Sequence, residues 1–182
     1  MKISKEQVAD NRKRILDAAA RLFRERGFEG VTVAQSMNAA GLTHGAFYGH
    51  FASKDDLIAQ AFAHVLATGE HPTDMKAFAA LYLSAAHRDD PGGACLFSSL
   101  GTEAVRTSRE ARHALTESVR SQIRKFGESA PGKTAEERRQ AAVGSWAAMI
   151  GTVLLARIVD DPALSDQLMA DTLAWLGAAN QA

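Results

Sequence analysis

The segment TVAQSMNAAGLTHGAFYGHF, residues 32–51, does most to limit what this chain can fold into. Thr32 followed at the third position by Gln35 has the spacing of a capping box, so a helix is expected to start at Val33 and run to Ala40. Gly41 then ends it, because glycine enters the left-handed backbone region at little cost. Thr43 stands where it could cap a second, very short helix holding His44, Gly45, Ala46, Phe47, Tyr48 and His50. Two short helices around a glycine turn form a helix-turn-helix, and an exposed second helix has the width of a DNA major groove. Phe47 and Phe51 are expected in the core, pinning the short helix down.

Charge supports the same reading. Residues 1–54 hold nine Lys or Arg against five Asp or Glu, a surplus of four. The whole chain balances at 21 against 21, so the remainder carries a deficit of four. A phosphate backbone responds to the local surplus and not to the total.

Beyond this segment the chain reads as helix. Its four prolines, Pro72, Pro91, Pro131 and Pro162, each fall at a plausible break, and strand-like alternation is nearly absent. The expected fold is all-α with eight or nine helices: an N-terminal three-helix domain over residues 1–52 and a C-terminal helical bundle over 53–182. A single cysteine, Cys95, excludes an internal disulfide and any all-cysteine zinc site. The polar opening MKISKEQVADNRKR and the lack of a long uninterrupted apolar run predict a cytoplasmic protein without membrane insertion.

In chain order, Ile15, Leu16, Ala19, Leu22 and Phe23 recur at helical spacing and define the buried face of a first helix, ended at Gly27. For the basic residues around Arg12 two accounts stand side by side, contact with phosphate and a solvated helix face. A further helix starts after Ser53, with Asp55 and Asp56 in its favourable first turn. In the C-terminal part, Phe62, Leu66, Phe78, Tyr82, Cys95, Phe97, Phe126, Trp146 and Met149 are candidates to line a small-molecule chamber. The same residues would equally make a solid core. Cys95 reads either as a small buried filler or as a thiol responsive to oxidants and electrophiles.

The last two helices, expected at Ala142–Val159 and Ser165–Ala179, carry more apolar surface than one small domain can bury. The first is apolar on more than one face and includes Trp146 and Val153. Val143, Ala147, Ile150, Gly151, Leu154, Ile158, Leu168, Leu173 and Leu176 are therefore the expected seam of a two-fold homodimer, paired as a four-helix bundle. His44 and His50 lack a cysteine or carboxylate at metal-binding spacing, so no metal is expected. No nucleophile, base and orienting group stand at a meaningful spacing, nor does a phosphate loop, so neither an enzyme nor a cofactor is expected.

From about Arg12 to Leu57, the pieces ILDAAARLFRERGFEGVTV, AAGLTHGAFYGHF and SKDDL resemble the DNA-binding domain of the TetR family of bacterial transcriptional regulators. The resemblance implies a DNA-contact surface counting Thr32 and Gln35 at the head of the first helix of the pair. Thr43, His44 and Ala46 would face base edges, Gly45 would permit close approach, and Tyr48, His50 and Lys54 would grip phosphates. It also implies a ligand-responsive repressor acting as a homodimer on a palindromic DNA operator, with an unidentified small apolar or aromatic effector. A thiol-based regulator using Cys95 is the alternative, because DDPGGACLFSSLGTE resembles a branch of the family that keeps a cysteine there. One departure stands out: Ser36 occupies a position where the family usually has a large aliphatic residue, and Met37 one where it usually has alanine. If Ser36 is buried, its hydroxyl needs a partner, most simply the carbonyl of Thr32.

Overall fold

The computed structural model describes residues 4–69 and 72–179. Nine α-helices run through them: α1 Lys5–Arg26, α2 Val33–Ala39, α3 Lys54–Thr68, α4 Met75–Tyr82, α5 Ala85–Asp89, α6 Leu96–Ala104, α7 Arg109–Ser129, α8 Ala135–Ile158 and α9 Pro162–Ala179. A 3-10 helix, His44–Gly49, lies between α2 and α3, and no strand occurs among the described residues. Contacts gather these elements into two compact units, one of residues 4–69 and 99–116, the other of 72–98 and 117–179. They place α3 with α1, whereas the sequence reading divides the chain after residue 52.

In the first unit, α1 buries Ile15, Leu16, Ala19, Ala20 and Phe23, and α3 buries Leu57, Ile58, Ala61 and Phe62. Burying each large apolar side chain contributes roughly 1.5–3 kcal/mol, so this pairing is the main support of the unit. Phe28 bridges the two helices, with its ring 5.5 Å from Phe23 and 5.4 Å from Phe62. The chain reaches Phe28 through Gly27, whose φ of 73° lies in the left-handed region. The Glu103 carboxylate accepts the Phe28 N–H at 2.7 Å, and a Cβ on Gly27 would lie 2.6 Å from that carboxylate. The backbone conformation favours glycine there, and a Cβ would displace the Glu103 carboxylate.

Ser36 and Met37, the two departures from the family pattern, are fully buried. The Ser36 hydroxyl donates to the Thr32 carbonyl at 3.4 Å, the partner that burial requires. α2 therefore keeps its place in the core with a serine on its inner face.

The second unit is built on Phe78, Tyr82, Phe126, Trp146, Met149 and Val153, with Cys95, Phe97 and Ile123 packed at the margin. Phe78 and Phe126 stack obliquely with centroids 4.6 Å apart, and Phe97 meets Trp146 edge-on at 5.2 Å. Arg157 ties the chain together from α8: its guanidinium donates to the carbonyls of Arg88 and His87, both at 2.9 Å, and of Ser98 at 3.3 Å. A cation at the C-terminal carbonyls of short α5 satisfies groups the helix leaves open. Thr152 and Thr172 join α8 to α9 through a 2.9 Å hydroxyl hydrogen bond.

α8 has a mean hydropathy of 1.6 over its most apolar window and is long and apolar enough to cross a membrane by length and composition. One side, with Ala142, Trp146, Met149, Val153 and Ala156, is buried in the core. The other leaves Val143, Leu154, Leu155 and Ile158 exposed, Ile158 at 76%, and α9 adds Leu164 and Trp175. The exposed stripe contains Val143, Ala147, Leu154 and Ile158 of the predicted seam, while Ile150, Gly151, Leu168 and Leu173 are half-buried. Leu176 departs from that set: at 2% exposure it belongs to the protomer's own core, as does Val153 at 0%. Both sit on the inward side of helices that are apolar nearly all round, where helical spacing alone does not separate the two faces.

Candidate nucleic-acid interface

The capping box expected at α2 is present. Thr32 Oγ1 accepts the Gln35 N–H at 3.2 Å, and Gln35 Oε1 accepts the Thr32 N–H at 2.8 Å. Both side chains are exposed, but these hydrogen bonds already engage the Thr32 hydroxyl and the Gln35 carbonyl, which leaves the Gln35 amide NH2 as their remaining donor.

Gly41 ends α2 with φ 70°, and the turn is closed by hydrogen bonds from Gly41 N–H to Asn38 O and from Leu42 N–H to Met37 O. Arg14, reaching over from α1, donates to the Ala40 carbonyl at 2.6 Å. A Cβ on Gly41 would lie 2.8 Å from that guanidinium. Gly41→Ala is expected to cost about 1–3 kcal/mol, from backbone strain and from displacing Arg14. A thermal melt that leaves the midpoint unmoved would contradict this.

The expected second helix is a 3-10 helix and not an α-helix. Its turns close from residue i+3 back to i, from Ala46 N–H to Thr43 O at 3.1 Å and from His50 N–H to Phe47 O at 2.8 Å. Gly45 and Gly49 within six residues weaken an α-helix too short to stabilise itself. Thr43 holds the N-cap position without a side-chain cap hydrogen bond, so the capping role read from the sequence does not hold. Its hydroxyl is exposed.

What fixes the segment is aromatic packing. Phe47 is 1% exposed, stacks on Phe51 at 5.7 Å and receives the Tyr48 ring edge-on at 5.2 Å. Arg12 places its guanidinium 4.7 Å from the centre of the Phe51 ring and donates to the His50 carbonyl and to Gln60. Of the two accounts of the basic residues near Arg12, neither fits Arg12 or Arg14: both clamp the helix-turn-helix from α1. Their partners lie 38 and 26 residues away, and no local spacing signals them.

On this base Thr43, His44, Gly45 and Tyr48 are exposed, Tyr48 at 74%, and Ala46 and His50 are half-buried. A large tyrosine held that far out of the core presents a hydroxyl donor on a rigid stem. Lys54 is half-buried in the first turn of α3. Two amides near it are engaged: Ser53 Oγ accepts the Asp56 N–H at 3.1 Å, and the Asp56 carboxylate accepts the Ala52 N–H at 2.9 Å. The Gln60 side-chain hydrogen bond, with the Ala52 amide, holds the Asp56 carboxyl below its ordinary range.

In the second unit, seven of the nine proposed chamber residues, Phe78, Tyr82, Cys95, Phe97, Phe126, Trp146 and Met149, form one packed cluster. Phe62 lies in the first unit against Phe28, and Leu66 is half-buried on α3. Within the cluster the Tyr82 hydroxyl and Trp146 Nε1 are buried and find no hydrogen-bond partner among the described residues. Burial, with the Cys95 thiol beside it, pushes the Tyr82 pKa upward. The Cys95 N–H donates to His87 Nε2 at 3.0 Å. Among the described residues no group of three His, Cys, Asp or Glu is placed to hold a metal ion.

These features define an all-helical protein whose N-terminal part is a helix-turn-helix with its second helix exposed. Residues 15–61 match the family described as bacterial regulatory proteins, tetR family. Over 57 residues it is 39% identical to the HTH-type transcriptional regulator AcrR of Shigella flexneri, covering 31% of this chain and 26% of that protein. Over 56 residues it is 41% identical to the HTH-type transcriptional repressor Rv1474c of Mycobacterium tuberculosis, covering 31% of this chain and 30% of that protein. The match thus spans less than a third of either relative. The fold is shared more widely: the reduced form of E. coli NemR superposes with a TM-score of 0.72 at 22% identity, over 93% of this chain and 96% of that one.

Proposed function

We propose that the protein is a homodimeric transcriptional repressor that binds a palindromic DNA operator and releases it on binding an effector. The observation that carries this reading is the short helix at residues 44–49, anchored by buried Phe47 and exposing Thr43, His44 and Tyr48. Two copies in successive major grooves would stand about 34–36 Å apart. The exposed stripe of α8 and α9 supports the dimer, and the relatives at the N-terminal domain are transcriptional regulators. Selection of bound sites from a randomised DNA library is the test. A recovered palindrome supports the proposal, and folded protein that enriches no sequence refutes it.

The division of labour within the surface has its own test. Lys54→Ala should weaken binding to all sequences and reduce the salt slope by about one, as expected for one lost phosphate contact. His44→Ala should instead change the preferred sequence. Titrations at several salt concentrations against the selected site and a scrambled one separate the two, and parallel losses would refute the assignment.

A second mode of release is favoured by Cys95, a half-buried free thiol beside the buried Tyr82 hydroxyl. In this reading the regulator responds to an oxidant or electrophile at sulfur. Cys95→Ser would then abolish release by a thiol-reactive compound, and retained release would leave the non-covalent effector as the mode.

A further inference from the structure

A basic groove separates the end of α7 from the beginning of α8. Arg120 and Arg124 line it from α7, and Arg138 and Arg139 from α8. Ile123, Gly127 and Ala135 supply an apolar lining, one carboxylate, Glu128, borders it, and the space is about 870 Å³. All of these residues belong to the second unit.

The four guanidinium groups are not equally committed. Arg120 donates to Glu117 at 2.6 Å, and Arg138 makes a long 3.4 Å contact with the Gly132 carbonyl. Arg124 and Arg139 make no ion pair or hydrogen bond among the described residues. The arrangement opposes local stability. Arg120 and Arg124 are a like-charged pair one turn apart, and Arg138 and Arg139 follow directly on the first turn of α8, where the helix dipole disfavours cations. All four line the same concavity, Arg138 half-buried and the other three exposed. Gly127 lines the concavity, and a Cβ there would meet nothing within 4 Å, so a larger side chain has room to occupy that space.

We infer that this groove is a binding site for a soluble phosphorylated amphiphile. Its phosphate would take the guanidinium forks of Arg124 and Arg139 in bidentate contact, and its apolar part would lie along Ile123 and Ala135. The inference is independent of the DNA-binding reading, since it uses no residue of the helix-turn-helix unit.

Calorimetric titration of the full chain with octyl phosphate, with inorganic phosphate for comparison, tests it. Octyl phosphate should bind at least about tenfold more tightly than inorganic phosphate, because only the former uses the apolar lining. Arg124→Ala with Arg139→Ala should weaken it by about tenfold or more, while the melting temperature holds. Gly127→Leu, which fills the groove, should weaken octyl phosphate more than inorganic phosphate. Equal binding by wild type and the double arginine variant overturns the site. So does equal affinity for the two probes, which marks simple charge attraction, or binding only to vesicles of anionic phospholipid, which marks a membrane surface. DNA affinity without probe should stay within about threefold of wild type in the double variant, which separates failure of this site from failure of the DNA-binding reading.

Discussion

Replacing Ile158 with glutamate together with Leu154 with lysine is expected to yield a folded monomer whose affinity for a palindromic site falls by about 10²–10⁴-fold. That range is the gain that linking two binding modules supplies when both engage at once. Leu154 and Ile158 are exposed on the outer side of α8, four residues apart and thus one above the other on the helix. Leu154 is 37% and Ile158 76% exposed, so charges placed there reach water in the monomer and would meet an apolar partner in the proposed dimer. Substitution inside the core should behave differently. Val153→Glu puts an unpaired carboxylate at a position with 0% exposure and should unfold the second unit outright. Sedimentation velocity and a thermal melt, run on both variants, distinguish the outcomes. A Leu154/Ile158 variant that still sediments as wild type places the seam elsewhere.

The contrast between Ile158 and Val153 also shows what the sequence could and could not convey. That α8 must be covered on two sides follows from apolar residues all round the helix, and so does the expectation of a partner. Which residues face inward depends on where α4, α7 and α9 lie, and helical spacing holds no such information. Leu176 reads as seam from its spacing for that reason, and it is the core that holds it. At the N-terminal end the sequence was more telling because the signals there are local. The α2 capping box, the left-handed Gly41 and the aromatic anchors are fixed by neighbours a few residues away. Thr43 is the local signal that misled: its backbone takes the N-cap conformation, but the turn that follows is 3-10 and its hydroxyl makes no cap bond. Arg12 and Arg14 were illegible for the opposite reason, since both clamp carbonyls far along the chain. The guanidinium that looks available for phosphate is thus already engaged, and the candidate contact surface narrows to the short helix, Gln35 and Lys54.

That narrowing gives Phe47 a disproportionate role. Phe47→Ala is expected to destabilise the first unit by about 3–5 kcal/mol, the usual cost of truncating a buried phenylalanine, and with it to abolish DNA binding. The loss arises without any change in a residue proposed to touch DNA. The Phe47 ring is what holds Tyr48 edge-on and stacks against Phe51, on which Arg12 rests in turn. Removing it frees the 3-10 helix, whose two glycines and short length cannot maintain it unaided. Both tryptophans, Trp146 and Trp175, lie in the second unit, so tryptophan fluorescence follows that unit separately. The expected variant has wild-type fluorescence and sedimentation, fast amide exchange in α2 and residues 44–49, and no detectable site-specific binding. Phe47→Leu, which keeps most of the buried volume, should restore much of the binding. If Phe47→Ala retains site affinity within about threefold while its exchange is accelerated, the short helix does not need to be pre-formed, and DNA itself must order the reading surface.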